Sequence, residues 1–165
     1  MASRNACDLH YGGGMRLART SLLPCSMARL APELAKPMLL NWVSWPMLHF
    51  VAVNPPALPE RFATGRYRVR LMLGMVLPIG EHTLDLQMAP GSGPGRVWHD
   101  AGHSDLIKVW DHQIRLEDYF GMTRYTDVVE VHAGPLTALA WLFAYAFYTH
   151  RQRRLNRLVA SGFAY

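Results

Sequence analysis

The chain is short of cysteine, of lysine and of charge in general. Cys7 and Cys25 are its two cysteines in 165 residues, too few and too unpatterned for a disulfide framework or a tetrahedral zinc site. A reducing, cytoplasmic setting is the expectation, with no metal and no cofactor. Lysine occurs only at Lys36 and Lys108, so nearly all of the 17 positive side chains are arginine, set against 12 acids for a formal net charge of +5. A basic balance raises nucleic acid or a membrane surface as partners but says nothing about fold. No run is long enough to cross a bilayer: the longest apolar stretch, residues 135–148, falls short of the roughly 20 residues required and contains Thr137 and two tyrosines. Stable membrane insertion is therefore not expected. Residues 1–14 lack the apolar core of a signal peptide and carry three consecutive glycines. They read as a disordered extension before one domain over residues 15–165. Phosphate-binding and dinucleotide-binding glycine motifs are absent, and so is a nucleophile elbow.

What the chain has is apolar mass. Half of the residues are apolar and 18% charged, and a chain of this length buries about two-thirds of the surface that its unfolded form exposes. Met15–Leu23 reads as a strand that ends at Pro24. Ser26 can cap a short helix over Met27–Leu34, with Leu30 and Leu34 on one face. Residues 38–50 read as a second apolar helical segment interrupted by Pro46, and residues 54–59, with three prolines, as an extended connector.

The middle of the chain alternates as antiparallel sheet. In Gly65–Leu73, Tyr67, Val69, Leu71 and Leu73 oppose Arg66, Arg68 and Arg70. Residues 77–80 read as a turn. In residues 81–88, His82, Leu84 and Leu86 oppose Glu81, Thr83 and Asp85, so that outward acids can meet outward arginines. Residues 89–95 read as a hairpin loop. Strands are expected around residues 96–99 and over residues 106–117, with Trp110, His112, Ile114 and Leu116 on one face. A last strand covers residues 123–132, with Tyr125, Asp127, Val129 and Val131 together. Gly134 and Pro135 open a long helix whose apolar stripe is Leu136, Leu139, Ala140, Phe143, Ala146 and Phe147. Arg151, Arg153, Arg154 and Arg157 gather at its end, where cations complement the helix dipole, and Gln152 and Arg153 can pair back onto the sheet.

Two polar groups invite a chemical reading. His112 and Asp127 share the inner face of neighbouring strands, so Asp127 can orient the imidazole and raise its basicity. The pair is either a hydrogen-bonded core element or a general base with its positioning group. Arg124 is expected to pair with Asp111 in solvent. His99, Asp100, His103 and Asp105 lie close in sequence but match no zinc spacing, and a solvated turn is the simpler reading.

The stretches GRYRVRL, LPIGEHTLDL, LIKVWDHQIRL, TRYTDVVEVHAGPLT and FYTHRQRRLNRLV resemble the START-like SRPBCC superfamily, in particular its polyketide cyclase-like bacterial members. The resemblance implies an α+β helix-grip fold: a curved antiparallel sheet wrapped around a long C-terminal helix, with two short helices after the first strand. It also implies a cavity that takes a hydrophobic or amphipathic small molecule, lipid or polyketide-like. The side chains assigned to that cavity are Tyr67, Val69, Leu71, Leu84, Leu86, Trp110, Ile114, Tyr125, Val129, Leu139, Phe143 and Phe147, with methionines as adaptable lining. Two alternatives accompany ligand binding. One is cyclase, dehydratase or hydrolase chemistry with His112 as base, and the other is contact with an anionic surface through the arginine-rich helix end. Nucleic acid is not expected, because aromatics interleaved with basic residues are absent, and the chain is expected to be a monomer or a homodimer.

Overall fold

The computed structural model describes residues 13–88 and 96–165. The expected N-terminal extension lies largely, and the hairpin loop at residues 89–95 wholly, outside the described residues. β1 (Met15–Leu23) leads through Pro24 into α1 (Met27–Leu34), whose Ser26 Oγ accepts from the Arg29 amide at 3.3 Å. This is the cap that a serine before an apolar-periodic segment supplies. α2 (Pro37–Ser44) follows with proline in its first turn.

The second apolar segment is not helical throughout. Its last residues form β2 (Leu48–Asn54), which pairs with β3 (Gly65–Leu73) and closes one edge of the sheet. The Asn41 side chain brackets the backbone of Phe50, accepting from its amide at 2.8 Å and donating to its carbonyl at 3.2 Å. A helix side chain thereby satisfies an edge-strand peptide that would otherwise face outward. The proline connector begins only after Asn54.

β4 (Leu77–Met88) also starts earlier than the alternation implied. Residues 77–80 belong to the strand, and the reversal lies at Gly74 and Met75, both with positive φ. β5 (Arg96–Ser104) and β6 (Val109–Tyr119) come next. The two-residue hairpin Phe120–Gly121 then joins β6 to β7 (Met122–His132), with positive φ at both positions, as a tight link between right-twisted strands requires. The sheet has seven strands in the order β1-β7-β6-β5-β4-β3-β2, and every neighbouring pair is antiparallel.

After one 3₁₀ turn, Gly134–Leu136, α3 (Thr137–Ala160) runs across the concave face. This is the α+β helix-grip architecture: a curved antiparallel sheet holding one long C-terminal helix, with two short helices after the first strand. The outer face carries the charge. Arg66 meets Asp85 at 2.9 Å, and Arg68 and Arg70 meet Glu81 at 3.2 and 3.5 Å. Arg124 pairs with Glu117 at 3.3 Å rather than with Asp111, because the register places Glu117 directly opposite it.

The inner face builds two apolar clusters. One, at the carboxyl end of α3, packs Leu155 and Leu158 with Leu30, Leu34, Leu39, Leu116 and Tyr125. The other sets Phe147 and Tyr148 against Leu48, Phe50, Val69, Leu84 and Val129. The buried stripe of α3 is rotated from the expected one. It contains Ala144, Phe147, Tyr148, Arg151, Gln152, Leu155 and Leu158, whereas Leu136 and Leu139 are 48% and 65% exposed.

Candidate functional site

A cavity of about 420 Å³ lies between the sheet and α3, which lines it as far as Arg151. Of the expected wall, it includes Leu71, Leu84, Leu86, Trp110, Ile114, Leu139, Phe143 and Phe147. Tyr67, Val69, Tyr125 and Val129 are not in it. Val69, Tyr125 and Val129 are fully buried in the packed clusters, and the Tyr67 hydroxyl is bound to the Ala63 backbone. Val69 and Val129 pack with Phe147 and Tyr148, and Tyr125 with Leu155 and Leu158, so the helix covers them. Methionine contributes nothing to the wall among the described residues; leucine, phenylalanine and tryptophan make it.

His112 lines the cavity, and Asp127 stands directly behind it. Nε2 of His112 lies 2.7 Å from Asp127 Oδ1. The two are diagonal neighbours, since His112 sits opposite Val129 and Asp127 opposite Ile114. The same Oδ1 accepts from the Tyr125 hydroxyl at 2.8 Å, and Oδ2 accepts from the Gln152 amide at 2.9 Å. Gln152 also reaches the Arg19 carbonyl and accepts from Ser21, so α3 is tied to β1 and β7 through one side chain.

Burial opposes ionisation at every member of this group. It holds His112 below the ordinary imidazole value despite Asp127, so the ring is neutral. Asp127 is also penalised by burial, but the His112 bond, the Arg151 charge and the Gln152 bond outweigh that and hold it below the ordinary carboxylate range. With Nε2–H donating to Asp127, the neutral ring leaves Nδ1 as an acceptor.

Four polar side chains of the wall are not assigned to the cavity from the sequence. Tyr148 covers His112, with ring centroids 4.8 Å apart, and its hydroxyl accepts from the Trp110 indole at 3.3 Å. Asp100 is buried, directly opposite His112, and accepts from the Asp85 amide at 2.8 Å. Burial pushes its pKa up to about 7. His82 is buried as well and is driven down to about 4, first by desolvation and then by His103. The fourth, Arg151, lies 6% exposed in the cavity wall and not at a solvated helix end.

The solvated-turn reading of residues 99–105 gives way for the same reason. β5 runs to Ser104, turning Asp100 inward and His99 outward to Asp111 at 2.8 Å. Among the described residues, no group of three or more His, Cys, Asp or Glu side chains could hold a metal ion. Gly102 makes room for the His82 ring, since a Cβ there would stand 2.6 Å from Nε2 and 3.1 Å from the Thr83 carbonyl. Gly102→Ala is expected to push the imidazole into the cavity at a cost of about 1–3 kcal/mol, measurable by denaturant unfolding.

The family model for the Domain of unknown function (DUF8410) matches residues 52–159. The chain belongs to this family. The match takes in β3 to β7 and nearly all of α3 of the DUF8410 chain, and with them Asp100, His112, Asp127 and Arg151. No curated protein matches the chain. Solved structures do. Ara h 8.0201 aligns with a TM-score of 0.60 at 13% identity, covering 90% of this chain and 99% of that one. A START superfamily protein from Mycobacterium smegmatis aligns at 0.55 and 11%, covering 88% and 97%. The Zhui aromatase/cyclase from Streptomyces sp. R1128 aligns at 0.55 and 12%, covering 91% and 93%. At such identities the likeness is one of fold. The DUF8410 chain has the helix-grip fold of the START-like SRPBCC superfamily. No helix among the described residues is long and apolar enough to cross a membrane.

Proposed function

We propose that this protein binds a hydrophobic or amphipathic small molecule, lipid or polyketide-like, in the cavity between the sheet and α3. The observation that carries the reading is the cavity itself: about 420 Å³, walled mostly by leucine, phenylalanine and tryptophan, with polar groups such as His82, Asp100, His112 and Arg151 among them. Small-molecule sites have this size and this composition. Its rim is apolar as well, since Leu106 and Leu139 line it while 65% exposed.

The test is titration with N-phenyl-1-naphthylamine, a neutral probe that brightens in apolar surroundings. Binding to the native protein is expected, and Ala140→Trp, which places an indole in the α3 wall, is expected to weaken it by roughly tenfold or more, about 1.4 kcal/mol. A probe that does not bind, or that binds the variant unchanged, removes the reading.

Turnover is the second reading, favoured by one geometric fact: neutral His112 presents its ring to the cavity while Asp127 fixes its tautomer. Under this reading, His112→Asn abolishes conversion of a bound poly-ketone chain and leaves probe binding unchanged. The surface-binding alternative is weakened by the placement of its arginines. Arg151 is buried, and Arg154 lies 4.1 Å from the Trp42 ring centroid while donating to the Trp42 carbonyl. Arg153 and Arg157 alone remain in solvent from that group.

A further inference from the structure

The inner end of the cavity holds a charge without a partner. α3 lines the space from Leu139 through Phe143, Phe147 and Tyr148 to Arg151. At 1.5 Å rise per residue, that stretch of helix is about 18 Å long. Beyond it, Leu155 and Leu158 close the space against Leu34 and Leu116. Arg151 is thus the last side chain of the helix to reach the cavity.

The Arg151 Nε is enclosed with no hydrogen-bond partner. Among the described residues the guanidinium makes no hydrogen bond or ion pair; its one close neighbour of note is the Tyr148 ring, whose centroid is 5.6 Å from Cζ. A guanidinium carries five N–H donors, and leaving charged donors unpaired in the interior is costly. The neighbouring acids do not fill the gap. Asp127 spends both oxygens on His112, Tyr125 and Gln152, and Asp100 accepts from the Asp85 amide.

We propose that Arg151 is the anion-binding group of this cavity and that the ligand is an amphipathic carboxylate, with its acid head on the guanidinium and its apolar body along α3 toward the rim. The inference rests on the ligand-binding reading above. The planar fork of arginine matches a carboxylate with two parallel bonds, and the apolar walls strengthen such a pair by excluding water. Repulsion from Asp100 is avoidable. Its pKa near 7 lets it take up a proton as the ligand charge arrives. The exposed leucines at the rim then lie at the tail end of the ligand, where an alkyl or aromatic body emerges.

The test compares dodecanoate, its methyl ester and dodecanol on the native protein by titration calorimetry, below micelle-forming concentrations. Dodecanoate is expected to bind about tenfold or more tightly than either neutral analogue, the effect of a charge-assisted hydrogen bond. Arg151→Gln is expected to reduce the acid to the level of the ester, so that the preference for the acid is lost. Arg151→Lys, which keeps the charge but loses the fork, should fall between. An acid that binds the native protein no better than its ester, while the neutral probe still binds, overturns the proposal and leaves the cavity reading standing. A neutral probe that also fails removes both. Should Arg151→Gln not fold, the acid-against-ester comparison on the native chain decides the matter by itself.

Discussion

Replacing Asp127 with leucine is expected to cost 3–5 kcal/mol of folding stability, in the range measured when one partner of a buried charge network is removed. The residue is fully buried, and its two oxygens serve three donors on three elements: His112 on β6, Tyr125 on β7 and Gln152 on α3. Leucine has similar bulk, so packing changes little. The loss comes from three donors left without an acceptor and from the favourable field that the Asp127 charge exerts on Arg151 without a direct contact. Against a total stability of about 5–15 kcal/mol, this is a fifth or more of what holds the fold.

Two companion variants apportion the loss. Asp127→Asn keeps an acceptor oxygen and gives up the charge, so it should cost less than leucine. Joining Asp127→Leu to Arg151→Met removes both charges, and apolar replacement of a whole buried charge set is often near neutral. The double variant should therefore unfold at higher denaturant than Asp127→Leu alone. If the two losses simply add, Asp127 and Arg151 are not coupled through charge and the network acts through hydrogen bonds only.

How far the sequence reveals this arrangement depends on which local signals are strong. β1 and α1 are plain because Pro24, Ser26 and Pro37 punctuate them, and β3 is plain because arginine alternates with apolar residues along it. β2 is hidden. LHFVAVN follows an apolar helix with only Pro46 to separate them, and its strand character depends on pairing with β3 and on Asn41 holding Phe50 from α2. β5 is half hidden for a different reason: residues 96–99 read as strand but residues 100–104 as turn chemistry, and it takes the pairing of Asp100 with His112 and of Gly102 with Trp110 to carry the strand through them. Within the site, strand period brings out His112 and Asp127 as inward neighbours. Arg151 escapes because a run of basic residues at a helix end averages to solvent. The phase of the helix was the available clue, since Phe147, Arg151 and Leu155 are spaced four apart and Leu158 follows at three. One polar position within that stripe had to point inward.

A pH profile should expose a cancellation between Asp100 and His82. The folded Asp100 carboxyl titrates near 7 against an ordinary 3.8, chiefly through desolvation. Because its folded pKa is raised, the stability it adds is present below about 3.8 and lost as pH rises toward 7, on the order of 4 kcal/mol at 1.36 kcal/mol per pH unit. His82 runs the other way. Its folded pKa is lowered to about 4 from 6.5, so its contribution is present above 6.5 and lost as pH falls to 4, about 3 kcal/mol. Between pH 4 and 6.5 the two slopes oppose each other, and the native protein should show little change in denaturant midpoint from this pair. Asp100→Asn retains an oxygen for the Asp85 amide and removes the titration. That variant should match the native protein at pH 4, gain stability steadily up to pH 7, and exceed it at pH 8 by several kcal/mol. His112, also lowered, adds to the slope in the direction of His82. Equal stabilities of native and variant at pH 8 would show that Asp100 ionises in the fold without penalty, and would remove the cancellation.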